Sequence, residues 1–363
     1  MRFATSFVAL TTLVSLGAAQ EISDYSTAEI LNGTAFADIA QLAYDNAHIR
    51  QEFRAMTKAN RKSYTDAVTC LQNLAPQRMT AAQAAQYPGV KSRYDEYIAT
   101  HINYTLSIHF TADFLAWHRY FIHNYEQDLK NLCGYTGVLP YWDWSFDAAA
   151  PQKSEIFNGD AYSMGSNGQY IPGREPVYLH NQDVTVPPGS GGGCLYSGPF
   201  AKTTIHLGPL DTANQTSVAN SFDYNPRCIT RDLSNWFSSR FNTYYNSIMQ
   251  ADGTYNPTGD FGVHGGGHFT PGATAIMSDF YASPNDPIFY LHHAQLDRLW
   301  TIWQNLDIKN RQNAIYGTST LLNNPPSPNM TLTDMIPFGF VAKDVEFGTL
   351  MDTFSGPFCY FYL

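Results

Sequence analysis

Eleven histidines punctuate this 363-residue chain, and six of them fall into two groups of three on or beside segments with helical periodicity. That placement constrains the fold more than any other feature, because imidazoles that must meet at one point fix how their segments pack. The first group is His101, His109 and His118. His109 and His118 are nine residues apart, about 2.5 turns of an α-helix, so one straight helix would put them on opposite faces. His109 is therefore expected in an ordered loop before the helix that carries His118, with His101 arriving from the preceding helix. Val90, Tyr94, Tyr97 and Ile98 recur at helical spacing and place His101 on their stripe. The next stripe is His118, Phe121, Ile122, Tyr125, Leu129 and Leu132, with Asp113 as cap and Gly134 as stop.

The second group is His264, His268 and one of His292 or His293. His264 and His268 are four apart and share a helical face, so two imidazoles can approach one ion from one side. Gly265, Gly266 and Gly267 lie between them. Each glycine costs about 1 kcal/mol in a helix interior relative to Ala, so close packing or space over a metal is the expected reason for the run. The third member comes from a helix that starts at Asp286-Pro287, with Asp as cap and Pro in the first turn, and runs to about Gln304. His293 shares a stripe with Phe289, Leu296 and Trp300, and His292 shares one with Ile288 and Leu299. Periodicity does not choose between them. Six neutral imidazoles with no evident thiolate or carboxylate ligand suit copper, zinc or iron. Zinc hydrolases bring a carboxylate to the metal. Glu126 and Asp297 are the candidates here, and both read as partners that orient imidazole N–H groups. His48, His123, His180 and His206 read as ordinary residues.

Composition narrows the rest. With 21 Lys+Arg against 31 Asp+Glu, the net charge of −10 excludes electrostatic binding of nucleic acid as the main business. A hydrophobic fraction of 44% with only 14% charged residues excludes disorder. Met1 and Arg2, the apolar run from Phe7 to Leu16 and the small residues Gly17-Ala18-Ala19 form the pattern of a secretory signal peptide cut after Ala19. No later stretch is long and apolar enough for a membrane helix. Secretion agrees with sequons at Asn32, Asn103, Asn214 and Asn329, and with five cysteines, Cys70, Cys133, Cys194, Cys228 and Cys359, expected to form two disulfides and leave one over. Residues 36–58, 60–74 and 229–250 read as further amphipathic helices, the last with the stripe Leu233, Trp236, Phe237, Phe241, Tyr244 and Ile248. Residues 148–222 read as long ordered loops with a few short strands. With no linker and no repeat, 20–363 is expected to be a single domain, mainly α.

Two stretches carry a family resemblance. Phe114-Leu115-Ala116-Trp117-His118-Arg119-Tyr120-Phe121, followed by Gly137-Val138-Leu139-Pro140-Tyr141-Trp142-Asp143-Trp144, resembles the first copper motif of tyrosinases and catechol oxidases. Ser283-Pro284-Asn285-Asp286-Pro287-Ile288-Phe289-Tyr290-Leu291-His292-His293, then Asp297-Arg298-Leu299-Trp300, is similar to the second. The resemblance covers roughly 50 to 300 and is to the short secreted fungal members, which lack a C-terminal shielding domain. It implies a type-3 dicopper centre in a four-helix bundle, with His101, His109 and His118 on one copper and His264, His268 and His293 on the other, His292 being a neighbour. It implies oxidation of o-diphenols to o-quinones with O2 reduced to water, hence phenolic small molecules and O2 as partners.

Three departures from the family pattern matter. The residue after the first ligand of the second copper is often Asn in strong monophenol hydroxylases, where with a nearby Glu it holds a water. Here it is Gly265, and no Glu lies between Asp252 and His264, so weak or selective monophenol hydroxylation is expected. No Cys lies between His101 and His118, so His109 is expected without the thioether link found in many relatives. A glycan on Asn103 would have to point away from the metal. Phe280, four residues before Pro284, stands where the family often gates access, and Phe269 is a further pocket candidate. The alternatives are a full tyrosinase with strong monophenolase activity, an oxygen carrier like a haemocyanin unit, and a zinc or iron enzyme on the same ligands.

Overall fold

The computed structural model describes residues 48–179, 184–211, 220–239 and 262–363. The expected leader, the sequons at Asn32 and Asn214, His180, and residues 36–47 and 240–250 of two expected helices lie outside them. The longer helices are α1 (Lys58–Asn73), α2 (Arg93–Ile108), α3 (Phe114–Cys133), α4 (Gly262–Phe269) and α5 (Ile288–Leu306). α3 packs on α1, α2 and α5, and α4 lies on α5. Strands among the described residues are short and pair in twos, several of them within 148–222. The mainly helical architecture expected from the sequence is the one observed.

Local chemistry sets the helix ends that matter. Ser92 and Asp95 form a reciprocal capping box at the start of α2, satisfying N–H groups that have no partner inside the helix. α3 stops at Gly134, whose φ of 68° is the left-handed conformation that glycine adopts without strain. Asp113 stands at the N-cap of α3 but makes no cap bond. Its carboxylate instead accepts from the Thr111 hydroxyl at 2.7 Å, and burial raises its pKa to about 6. Asp286 Oδ1 accepts the Ile288 N–H at 3.1 Å as α5 begins. Arg231 grips both Asp286 oxygens at 2.8 and 2.7 Å, with both side chains fully buried. That pair ties the loop-rich middle of the chain to the helix carrying His292 and His293.

Three expectations fail locally. The described part of the helix expected over 36–58 is a strand, His48–Arg50, parallel to Tyr360–Tyr362, followed by a single turn, Phe53–Ala55. The C-terminal strand supplies ladder partners there, and extended backbone delivers Arg50 into the interior. The helix expected from 229 begins only at Asn235, after the Ser234 cap, because Arg227–Cys228 pairs with Thr204–Ile205. The stripe on α3 is buried as far as Leu129, and Leu132 is exposed. Two disulfides form as expected, Cys70–Cys133 between the ends of α1 and α3 and Cys194–Cys228 between two strands, with Cys359 in neither.

A buried charge network holds α3 and α5 together. Arg50 donates to Glu126 at 2.6 and 3.2 Å and to Asp297 at 3.4 Å. Asp297 also accepts from Arg119 and from the hydroxyls of Tyr360 and Tyr362, each at 2.6 Å. Burial alone would raise the Glu126 carboxyl, but the Arg50 and Lys130 charges outweigh it and hold it at about 2. Burial opposes ionisation of Asp297 too, and Arg119 and Arg50 overcome it to lower its pKa. Removing one partner of such a network leaves an uncompensated buried charge, so Asp297→Asn is expected to destabilise the fold by about 3–5 kcal/mol in denaturant melts. Both carboxyls have lowered pKa values in the folded state. Their stabilisation is thus complete above the ordinary carboxyl range and is lost as pH falls from about 4.5 toward 2. Acid titration of ellipticity should show the loss there, and Glu126→Gln should flatten it.

Candidate metal centre

The fold brings both histidine groups to one place. His101 lies on α2, His109 is the residue after that helix ends, and His118 is one turn into α3. His109 is therefore in the loop between two helices, as the nine-residue spacing requires. Ring centroids in this group are 5.1 to 5.8 Å apart. His264 and His268 share α4, and His293 meets them from α5 at 5.4 and 5.3 Å. The two groups face each other, with the His118 and His293 rings stacked at 4.3 Å and 11°. Each group places its ring nitrogens within 4.8 Å of one another and could hold a metal ion.

Hydrogen bonds fix which nitrogen four of the six rings offer. His101 Nδ1 is 2.7 Å from the Tyr281 carbonyl, His109 Nδ1 2.9 Å from that of Thr105, His118 Nδ1 2.8 Å from that of Phe114, and His268 Nδ1 2.9 Å from that of Met277. A carbonyl can only accept, so each Nδ1 carries the proton and each Nε2 keeps a lone pair. The Nε2 atoms of His101, His118 and His264 are buried without a partner, which ordinarily costs about 1–3 kcal/mol apiece. His268 Nε2 and His293 Nε2 approach to 3.2 Å, the separation expected of two nitrogens each about 2.0–2.1 Å from one ion at a near-tetrahedral angle. The donor set therefore fits a metal pair. Burial lowers the pKa of every ring in it, reinforced by neighbouring imidazoles at all but His268, to about 3 for His109 and about 4 for His268. The rings are thus neutral and able to ligate at physiological pH.

Aromatic side chains wall the centre. Phe289 lies 4.2 Å from His293 and 5.4 Å from His101, and Phe114 lies 4.9 Å from His118 and 4.7 Å from His264. Phe289 stands on the stripe of His293 and Phe114 lies in the first motif, but neither signal shows that they fill the space between the two groups. The Phe280 ring is 4.8 Å from His109 and half-buried. His264 and Gly265 are also half-buried, so this side of the centre faces outward. Phe269 packs on Phe237 at 5.0 Å and borders a cavity of about 330 Å³ shared with Arg174 and Asp232.

Glu126 and Asp297 do not orient the imidazoles as expected. Their oxygens are engaged by Arg50, Arg119, Lys130 and the two tyrosines, while backbone carbonyls do the orienting. His206 pairs with Asp95, and His123 packs on Phe358, both apart from the two groups. The glycine run has a packing reason at one position. A Cβ on Gly267 would sit 2.2 Å from His292 Cε1 and 2.3 Å from its Nδ1. His292 is fully buried and accepts at Nδ1 from the Trp144 indole N–H at 3.1 Å, a partner that sequence reasoning missed.

Comparison with known proteins gives a concordant picture. A family model described as the common central domain of tyrosinase matches residues 91–306. The chain is 37% identical over 338 residues to Tyrosinase P of Aspergillus terreus, covering 88% of this chain and 92% of that one. It is 35% identical over 366 residues to the N-acetyl-6-hydroxytryptophan oxidase of Emericella nidulans, covering 90% and 95%. Among solved structures it resembles a variant of the polyphenol oxidase of Thermothelomyces thermophila, with TM-score 0.81, 34% identity, and coverage of 99% and 98%.

Gly267→Ala separates helix propensity from packing. Propensity alone would favour Ala by about 1 kcal/mol, whereas overpacking against a trapped ring costs about 1–3 kcal/mol or more. The variant is expected to melt at lower temperature and to lose metal, read by elemental analysis after dialysis.

Proposed function

The chain belongs to the tyrosinase family of type-3 copper polyphenol oxidases, and from that premise we propose that it oxidises o-diphenols to o-quinones outside the cell, with weak or selective hydroxylation of monophenols. His101, His109 and His118 would hold one copper, and His264, His268 and His293 the other. The observation that carries this assignment is that carbonyls hold Nδ1 of His101, His109, His118 and His268, while Nε2 of His101 and His118 is buried without a partner. Bound copper supplies the redox couple by which one O2 takes four electrons from two diphenols and leaves as two waters.

The chain's own residues perform the remaining work. Phe114 and Phe289 exclude water and hold the rings apart from other donors. The half-buried side formed by His264, Gly265 and Phe280 is the way in for a flat phenol, with Phe280 as the gate, while Phe269 borders the cavity beside Phe237. A monophenol must lose its proton before it is hydroxylated, and position 265 has no side chain to hold a water for that step. A diphenol needs no such hydroxylation, so its oxidation is spared.

Secretion is supported by the leader pattern of residues 1–19 and by two disulfides, which persist in oxidising compartments. Asn103 and Asn329 are exposed. Asn103 lies on the opposite face of α2 from buried His101, so a glycan there would point away from the centre.

The decisive assay is oxygen uptake by the copper-loaded protein. Catechol should drive rapid uptake, tyramine slow uptake after a lag, and chelation should abolish both; no uptake with catechol overturns the reading. Gly265→Asn should raise the tyramine-to-catechol rate ratio by roughly tenfold, below the about 10²–10⁴ that a well-positioned base supplies. An unchanged ratio would refute the role given to that glycine.

A further inference from the structure

The second group contains four imidazoles. Ring nitrogens of His264, His268, His292 and His293 all lie within 4.8 Å of one another. A fourth nitrogen on that ion would occupy the position that a catalytic site must leave open. Something must therefore keep one ring out, and the position of its proton does so for His292. The Trp144 indole N–H is a donor only, and it reaches His292 Nδ1 at 3.1 Å. Nδ1 must accept, so the ring carries its proton on Nε2, and the His264 backbone carbonyl, which can only accept, also bonds the ring. An Nε2–H has no lone pair to give a metal. In His101, His109, His118 and His268 the arrangement is reversed: carbonyls take the Nδ1 protons and the Nε2 lone pairs are free.

Packing prevents His292 from changing sides. Its edge abuts the Gly267 backbone so closely that a Cβ would sit 2.2 Å away. The His264 ring lies parallel to it at 7°, with centroids 5.8 Å apart. Rotating the ring would break its bond to Trp144 within a space that holds no spare volume for a methyl group.

We propose that Trp144 is a positioning residue acting through His292: its indole N–H locks that ring in the Nε2-protonated form, excludes it from the second copper, and so preserves three-imidazole ligation with an open position. The inference rests on the ligand assignment given under Proposed function. Without the donor, the His292 proton can move to Nδ1 and Nε2 becomes a fourth ligand.

The test replaces Trp144 by β-(3-benzothienyl)alanine, which exchanges N–H for sulfur in the same shape, with Trp144→Phe alongside. Both variants should keep wild-type copper content. X-ray absorption at the copper edge of the reduced protein should show imidazole nitrogens rising from about 3 to about 3.5 per copper, and the catechol rate should fall by roughly 10–100-fold. His292→Asn introduced into the Trp144→Phe protein should restore most of the lost rate, which repair of a merely structural defect would not do. Unchanged nitrogen number and rate in the benzothienyl protein would overturn the lock, as would a loss of rate that His292→Asn fails to restore. A wild-type protein with fewer than two coppers, or without three nitrogens on each, would instead overturn the ligand assignment.

Discussion

Four of the imidazoles at this centre, those of His101, His109, His118 and His268, are defined by where the other nitrogen points. Histidine can present either ring nitrogen, and a metal selects for a lone pair that the protein must already have freed. Here the backbone frees it. His118 bonds the Phe114 carbonyl one turn below it in α3, and His109 bonds the Thr105 carbonyl in the last turn of α2. Those carbonyls belong to a helix start and a helix end, where geometry is set by the fold. His101 and His268 use carbonyls of Tyr281 and Met277, in the segment between α4 and α5. That short segment thus aims one ring in each group, coupling the two halves of the centre through main chain.

Because the rings take direction from backbone, the backbone must not shift, and the buried ion network is what prevents it. Arg50, Glu126, Asp297 and Arg119 bind α3 to α5 at the level of the helices that carry His118 and His293. Two tyrosines of the last strand complete it from outside. Replacing such pairs with apolar groups is often neutral for stability. Their contribution here is better described as register: a guanidinium and a carboxylate satisfy each other at only one relative height of the two helices. Arg231 and Asp286 do the same for the start of α5.

Legibility of the sequence followed the reach of the interactions. α2, α3 and α5 could be placed because their stripes, and end signals such as Gly134 and Asp286, act within a few residues. The loop position of His109 followed from helical geometry alone. The segment at 48–55 could not be read, since its strand depends on a partner more than three hundred residues away. Glu126 and Asp297 were given the wrong partners for the same reason: Arg50 is 76 residues from one and 247 from the other. His292 and His293 looked equivalent because α5 is buried on nearly all sides over this stretch, which erases the periodicity that distinguishes inward from outward.

The glycine run on α4 shows how a local penalty is overruled. Three glycines weaken an eight-residue helix by about 3 kcal/mol relative to alanines, and a helix that short is marginal alone. It forms because α5 and the turn after it hold it, with Thr270 bonding back to the Gly266 carbonyl through both its N–H and its hydroxyl. What the run gains is proximity. With no side chain at 267, the His292 ring lies directly on the α4 backbone, so α4 and α5 approach closely enough for His264 and His268 to meet His293. A sequence that violates helix propensity between two histidines of the candidate metal centre has therefore traded intrinsic stability for interaxial distance, and the violation coincides with the candidate site.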